Sequence, residues 1–335
     1  MQVYGIDLSM ESFEVNFIDE NEKVRNKTVN NKLSSISNFL SSIPEDGILC
    51  AEHTGVYGDL LVFLCNLASI PIALVSGYTI KHSLGMLKGK SDKLDARRIR
   101  EYGERFSDKL KLSRYDDEHI AELKQLYTFR GQLVDARKLL LTSEKGREYL
   151  PFQNVSVHNH LQPVNAVLDE KIATIEAEIE DLIRSHQDLD ENYKLAKSVI
   201  GIGPVIATAL IIKTSNFNII DTSRKAASYA GVCPFPNSSG KMVVKSKTSP
   251  LADRNLKSLL HMGARSAVKH NKEYRLYYQK KQLEGKPHYL IMNNISNKLL
   301  RTVYSVVQNK TPFSSDYICL DPRERNMNSS SKKVA

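Results

Sequence analysis

The chain has 335 residues, of which 41% are hydrophobic, so it is long enough for two or three domains with a substantial core. Its formal net charge is +9, and such a basic balance favours a polyanionic partner. No apolar run is long enough to cross a bilayer, and we expect no signal peptide before the first strand pattern, so the sequence does not predict a membrane or secreted protein. The four cysteines are scattered and predict no zinc site. We therefore expect a cytoplasmic protein without a membrane partner.

Residues 1–113 alternate short apolar runs with helical patterns, which predicts an α/β domain with a mixed sheet and flanking helices. Strands are expected at residues 3–8, 13–18, 23–29, 47–52 and 72–75. Helices are expected at residues 33–40, 56–68 and 91–106, where apolar residues recur every three or four positions.

Residues 114–197 lack strand patterns and predict a helical linker region. Pro151 and Pro163 are expected to separate an earlier helix, residues 119–147, from a later one. The later helix carries a heptad seam, and its apolar residues are Leu168, Ile172, Ile175, Ile179, Leu182 and Leu189. This pattern predicts a helical hairpin or coiled coil, and packing within one chain and pairing between two chains both remain open.

Residues 198–312 read as a mainly helical domain with a basic surface, followed by a polar tail at 313–335 that we expect to be partly disordered. The domain begins with Gly201-Ile202-Gly203-Pro204 ahead of an apolar helix at 205–213. Such a turn offers backbone amides to a phosphate, as helix-hairpin-helix elements do, or it is a plain turn between helices.

Four acidic residues lie where strands end or helices begin. Asp7 and Glu52 follow apolar runs, and Asp92 and Asp95 are three apart, which places them on one face of a helix. Their order fits an RNase H-like sheet, in which such acids meet at one point. Oxygen ligands of this kind suit Mg²⁺, and two such ions can clamp a phosphodiester during in-line displacement. Each acid taken alone is more often a residue at a strand end or a helix cap than a metal ligand, and only the set favours the ligand reading.

A turn-rich segment at residues 229–241 contains Ser238-Ser239-Gly240 and leads into the most basic part of the chain. An exposed serine there could attack a phosphodiester, although the tripeptide is also ordinary turn chemistry. Between residues 241 and 301, 14 Lys and Arg stand against 3 Asp and Glu. The predicted phosphate contacts are Lys241, Lys245, Lys247, Arg254, Lys257, Arg265 and Lys269.

The chain resembles a known family in motifs that run from residue 1 to about 312. These motifs are Gly5-Ile6-Asp7, Ala51-Glu52-His53-Thr54-Gly55-Val56-Tyr57, Lys90-Ser91-Asp92-Lys93-Leu94-Asp95-Ala96, Gly201-Ile202-Gly203-Pro204, Tyr229-Ala230-Gly231-Val232-Cys233-Pro234 and Ser238-Ser239-Gly240. Their order is similar to that of the DEDD transposases of IS110-type insertion sequences, which include the Piv-type DNA invertases.

The resemblance implies a RuvC-like domain with catalytic acids at Asp7, Glu52, Asp92 and Asp95, a coiled-coil linker and a serine domain. It selects Ser239 as the nucleophile, with Ser238 as the fallback, and implies a phosphoserine intermediate. It further implies Mg²⁺, with Mn²⁺ as a substitute, and contact with nucleic acid by Arg130, Arg137, Gly201 and Gly203. The implied partners are donor DNA, target DNA, a guide non-coding RNA encoded by the element, and further copies of the chain in a dimer or tetramer.

Two other functions fit the same residues. A hydrolytic RNase H-like nuclease, such as a junction resolvase, would use the four acids with water in place of the serine. A nucleic-acid-binding protein with an inactive nuclease fold would keep the basic surface and use neither group.

Overall fold

The computed structural model describes residues 1–314 except 86–88, 90, 148, 153, 234, 240, 241, 248 and 250, and describes residues 235–239 and 242–247 by their backbone alone. The predicted polar tail therefore lies outside the described residues from position 315 onward. The chain divides into two compact units, Met1–Asp116 and the part that begins at Asp117. The finer predicted division at residues 114–197 and 198–312 stays a prediction.

The first unit contains a five-stranded sheet. Its strands are β1 (Gln2–Leu8), β2 (Ser12–Ile18), β3 (Val24–Asn30), β4 (Gly47–Glu52) and β5 (Ile72–Val75). The spatial order is β3-β2-β1-β4-β5, with β1, β4 and β5 parallel and the β1–β2 and β2–β3 pairs antiparallel. This arrangement confirms the mixed sheet expected from the sequence and fits an RNase H-like fold.

In the described part of this unit, four α-helices accompany the sheet: α1 (Leu33–Leu40), α2 (Asp59–Leu67), α3 (Gly77–Ser83) and α4 (Asp92–Arg105). Side chains alternate between the two faces of a strand, so the residues that each helix contacts show which face of the sheet it covers. Tyr4 and Ile6 share one cluster with residues of α1 and α2, whereas Val3 shares another with Ile80 of α3 and Ile99 of α4. Helices therefore cover both faces of the central strands.

Helix α4 lies unusually close to β1 because β1 carries a glycine at the crossing. A β-carbon on Gly5 would be 2.2 Å from the Ala96 carbonyl oxygen. Further along the helix, a β-carbon on Gly103 would be 2.8 Å from a methyl group of Val3. As the helix advances, its contacts move back along the strand, so α4 runs antiparallel to β1.

The second unit is mainly helical. Its elements are α5 (Glu118–Arg147), α6 (Val155–Ser185), α7 (Gln187–Ser198), α8 (Pro204–Thr214), α9 (Ser223–Tyr229), β6 (Phe235–Ser239), β7 (Met242–Lys247), α10 (Arg254–His270), α11 (Lys272–Leu283) and α12 (His288–Gln308). Helix α12 contributes to the core along most of its length, from Ile291 to Val307. Among the residues described, no helix combines the length and apolarity needed to cross a bilayer.

Helices α5 and α6 form an antiparallel pair, and here two expectations were wrong. Pro163 does not separate two helices but lies inside α6, where two contacts with α5 flank it: a hydrogen bond between His158 and Glu144, and an ion pair between Asp169 and Arg137. An internal proline costs a helix roughly 3 kcal/mol, and α6 nevertheless stays continuous across Pro163 where it packs along α5. The heptad seam also stops early: α6 ends at Ser185, so Leu189 belongs to the separate helix α7.

Candidate active site

Asp7 and Glu52 lie side by side at the carboxyl edge of the sheet. Strands β1 and β4 pair in parallel with Ile6 opposite Ala51, so the next positions, Asp7 and Glu52, face each other across the ladder. Their α-carbons are therefore about 4.8 Å apart, and their side chains point to the same face of the sheet. That face is the one that α4 covers, because it also carries Val3 and Gly5.

The first turn of α4 brings the other two acids to the same edge. From the crossing at Gly5, Asp7 is about 6.6 Å further along β1, which corresponds to between four and five residues back along α4. Since Gly5 lies level with residues between Ala96 and Arg100, Asp7 lies at the height of Asp92 and Asp95. Ser91 fixes the start of the helix, because its hydroxyl accepts a hydrogen bond from the Leu94 amide at 3.3 Å.

A second glycine makes room for Glu52. A β-carbon on Gly77 would be 2.1 Å from Oε1 of Glu52, so the carboxylate lies directly against the backbone that begins α3. Glu52 is half-buried there. Helix α3 was not predicted from the sequence, and the motifs did not single out Gly77 as a neighbour of Glu52.

The four carboxylates do not yet form a closed set of ligands. Asp95 accepts a hydrogen bond from Nη1 of Arg98 at 2.6 Å, and Asp92 is exposed. Within the part of the chain that the structure describes, no three acidic, imidazole or thiol groups are close enough to hold an ion. The donors nevertheless suit a hard divalent cation, because all four are carboxylates.

The predicted nucleophile lies on a β-hairpin in the second unit. Ser239 is the last residue of β6 and pairs with Met242 of β7, while Ser238 pairs with Val243. Lys241, a predicted phosphate contact, lies outside the described residues, and for Lys245 and Lys247 only the backbone in β7 is described. The sequence predicted turns here and missed the two strands.

Asp253 is a half-buried carboxylate at the base of this hairpin, and the sequence analysis did not identify it. We call this base, where Tyr229 before β6 meets Asp253 after β7, the root of the hairpin. Oδ2 of Asp253 accepts from Nζ of Lys213 at 2.9 Å and from the hydroxyl of Tyr229 at 3.2 Å. Oδ1 accepts from the Leu256 amide at 2.9 Å and so caps α10. An aspartate directly before a helical pattern was the available signal, but it indicates only the cap.

Charge compensation sets the ionisation of this cluster. Burial raises the pKa of the Asp253 carboxyl, but the Leu256 amide and the Lys213 ammonium lower it by more, so the pKa lies below its usual value. Burial and the neighbouring Asp253 carboxylate raise the pKa of Tyr229 to about 12. Near neutral pH, Asp253 is therefore ionised, and Tyr229 keeps the proton that it donates.

Helix α10 presents a basic face. Its 17 residues contain no acidic side chain. Arg254, Lys257, Arg265 and Lys269 fall within an arc of about 120° around the helix axis. Arg254, Arg265 and Lys269 are exposed, and Lys257 is half-buried. A cationic stripe without compensating carboxylates suits the phosphates of a nucleic acid.

The other residues predicted to contact nucleic acid, Arg130, Arg137 and Gly201, make contacts within the protein itself. Nη2 of Arg130 donates to Glu176 at 2.6 Å, and Arg137 pairs with Asp169, so both arginines join α5 to α6. Gly201 has a φ of +103°, and a β-carbon there would be 2.6 Å from the Gly263 carbonyl oxygen. The glycine turn is therefore required for close packing on α10, and contact of these residues with nucleic acid stays a prediction.

Two transposase family models match the chain. The DEDD_Tnp_IS110 model, described as a transposase, matches residues 4–145, which contain all four acids. The model described as the transposase IS116/IS110/IS902 family matches residues 193–279, which contain Ser239 and α10.

Several relatives are similar over different shares of the chain. The pilin gene-inverting protein of Moraxella bovis is 24% identical over 323 residues, covering 92% of this chain and 96% of that protein. A transposase for insertion sequence element IS1111A of Coxiella burnetii is 22% identical over 300 residues, covering 81% and 79%. An insertion element IS116 protein of Streptomyces clavuligerus is 25% identical over 147 residues, and this match spans only 36% of its length.

Proposed function

Because the chain belongs to the DEDD transposase family of IS110-type insertion sequences, we propose that it cleaves and exchanges DNA strands through a phosphoserine intermediate at Ser239. The observation that supports this most is the register of β1 with β4, which makes Asp7 and Glu52 neighbouring positions in the sheet. The antiparallel crossing of α4 over Gly5 supports it further, because the helix that carries Asp92 and Asp95 then begins near the same edge.

The reaction conserves the number of phosphodiester bonds. The Ser239 oxygen attacks phosphorus while the bond from phosphorus to one sugar oxygen breaks. The serine proton passes to a base, and the departing sugar oxygen takes up a proton. In the second half, a sugar hydroxyl of another strand attacks the phosphoserine and releases the serine, so no nucleotide cofactor is consumed.

Asp7, Glu52, Asp92 and Asp95 would hold Mg²⁺, or Mn²⁺ in its place, and the bound cation would supply stabilisation of negative charge on the phosphate and a lower pKa for a coordinated hydroxyl. Four carboxylates at one edge repel one another, which favours binding of a cation. Asp95 is paired with Arg98. To bind the ion, Asp95 either releases this arginine or keeps it on the carboxylate oxygen that does not contact the ion.

The basic face of α10 binds the phosphates of the DNA. Contacts to phosphates position a nucleic acid without reading its sequence. This fits the proposal, drawn from the resemblance, that a guide RNA pairs with donor and target DNA and supplies the sequence choice. Strand exchange between two DNA sites further suggests a dimer or tetramer that acts in the cytoplasm.

Site-specific inversion is the second form that this activity could take. The Moraxella bovis relative is named a pilin gene-inverting protein and is similar over nearly its whole length. Inversion and transposition differ in the arrangement of the DNA sites, and the phosphoryl-transfer steps are the same. A hydrolytic nuclease differs in its nucleophile, because it needs the acids but not Ser239.

A set of five variants tests the proposal. In cells that carry the gene with its flanking DNA, strand exchange is measured by amplifying the new junctions. Asp7→Asn, Glu52→Gln, Asp92→Asn, Asp95→Asn and Ser239→Ala should each reduce junctions at least 100-fold. Glu101→Gln is the matched control, since this acid of α4 is ion-paired with Arg97 and should leave the yield unchanged. Cleavage by Ser239→Ala at the normal rate would establish the hydrolytic nuclease instead.

A further inference from the structure

The hairpin that carries Ser239 depends on its root for its direction. From Phe235 to Ser239 the strand spans about 13 Å, and an isolated two-stranded hairpin is only marginally stable. A rotation of about 10° at the root would move Ser239 by about 2 Å, and a misplacement near 1 Å is enough to slow a reaction about 100-fold. The contacts at the root therefore matter for catalysis if Ser239 reacts.

Asp253 joins both ends of the root. The Asp253 amide donates to the Tyr229 carbonyl at 2.8 Å, while its carboxylate accepts from the Tyr229 hydroxyl. Tyr229 ends α9, which precedes β6, and Asp253 follows β7. Asp253 thus joins the two ends of the 23-residue segment at positions 230–252, once through its backbone amide and once through its carboxylate.

Lys213 connects this closure to the core of the second unit. It lies in the last turn of α8, a helix whose residues 206–212 are all buried, and its ammonium is 2.9 Å from Asp253. The carboxylate is 12% exposed and the ammonium 34% exposed, so water screens the attraction mainly from the lysine side. The hairpin root is therefore fixed to a rigid helix.

A separate contact holds the incoming strand. Nδ2 of Asn293, on α12, donates to the Val232 carbonyl at 2.8 Å. Val232 is 1% exposed, and its own amide donates to the Ala227 carbonyl. Residues up to Val232 are thus immobilised on the core, and Asp253 supplies the corresponding fixation where the chain returns.

We propose that Asp253 is a positioning residue for strand exchange, which acts through Lys213 and Tyr229 to aim the Ser239 hairpin. This inference rests on the proposed role of Ser239. An ordinary helix cap explains the contact with the Leu256 amide, but it does not explain why the same carboxylate binds an ammonium and a tyrosine hydroxyl from two other helices.

Asp253→Asn separates the two roles. Asparagine remains a good cap, so the helix should still begin at residue 254, but it cannot form the ion pair with Lys213. On DNA that spans the junctions flanking the gene, the variant should bind with unchanged affinity. Its rate of covalent protein–DNA complex formation should fall at least tenfold. Backbone amides of β6 and β7 should exchange hydrogen faster than in the unchanged protein.

Further variants establish that the ion pair is responsible. Lys213→Met should show the same loss, Lys213→Arg should restore most of the rate, and the double variant with Asp253→Asn should be no worse than either single variant. Asp221→Asn is the control: it breaks an exposed pair with Lys225 in the same unit and should leave the rate unchanged. Additive losses in the double variant would overturn the coupling.

The outcomes distinguish this inference from the proposed function. If Ser239→Ala abolishes the covalent complex while Asp253→Asn forms it within twofold of the normal rate, Asp253 does not position the serine. If Ser239→Ala still exchanges strands, the proposed function is wrong. Hydrogen exchange then decides the structural part, because unchanged protection of β6 and β7 in Asp253→Asn would refute it as well.

Discussion

A methyl group added at position 5 of β1 should separate helix α4 from the sheet and disturb the acidic site. In Gly5→Ala, the new β-carbon would lie 2.2 Å from the Ala96 carbonyl oxygen and 2.3 Å from the Arg100 amide nitrogen. Both neighbours are backbone atoms, so no side chain can rotate away. Ordinary contacts need about 3.5 Å, which forces α4 to retreat by more than about 1 Å.

Two magnitudes follow from this displacement. Overpacking of this kind lowers the free energy of unfolding by about 1–3 kcal/mol. The displacement also moves Asp92 and Asp95 away from Asp7 and Glu52, and a misplacement near 1 Å lowers the rate of a positioned reaction about 100-fold. We therefore expect Gly5→Ala to remain folded at low temperature but to form strand-exchange products about 100 times more slowly.

The assay combines urea denaturation with single-turnover cleavage in Mg²⁺, both well below the melting temperature. Gly146→Ala is the matched control, because no atom lies within 4 Å of its added β-carbon and it lies inside helix α5. That variant should be as active as the unchanged protein and slightly more stable. A folded Gly5→Ala protein that cleaves at the normal rate would refute the view that α4 sets the positions of the acids.

Three further predictions concern the second unit. Arg265→Ala should weaken DNA binding equally for all sequences and reduce the slope of log affinity against log salt by about 1; fluorescence anisotropy across salt concentrations checks this, and altered sequence preference would contradict it. Gly201→Ala should lower the free energy of unfolding by about 1–3 kcal/mol, since its φ is +103°. Gly203→Ala has open space and a negative φ, so in the same urea titration it should cost less than Gly201→Ala. Finally, the folded pKa of Asp253 is depressed, so its stabilisation is present above the unfolded pKa of about 3.9 and is lost as pH falls through the folded value. The stability difference between the unchanged protein and Asp253→Asn should thus be constant above about pH 5 and shrink below pH 4; a difference that grows on acidification would contradict it.

Most of the first unit, apart from helix α3, was predictable because its signals are local. The strands at 47–52 and 72–75 and the helix at 33–40 have the predicted bounds, since each is a short apolar run or a periodic segment between turns. Strand direction then follows from the long crossover connections, which favour parallel pairing, and it carries Asp7 and Glu52 to the same edge.

The remaining features depend on contacts between distant residues. Lys213 and Asp253 are 40 positions apart, and Arg130 and Glu176 are 46 apart, so no local pattern reveals either ion pair. Pro163 is tolerated because α6 packs on α5 on both sides of it. The heptad pattern likewise does not reveal the helix break at His186, because the apolar spacing continues in phase from α6 to Leu189 across this one non-helical residue.

Mapping the bond between protein and DNA tests the central claim most directly. The unchanged protein is incubated with Mg²⁺ and a DNA that is nicked next to the exchange site, so that the covalent complex cannot be resolved. The complex is then digested, and mass spectrometry locates the residue that carries the nucleotide. Our account predicts a phosphodiester at Ser239 that fails to form in Asp7→Asn. A bond at another residue, or cleaved DNA without any covalent protein, would contradict it.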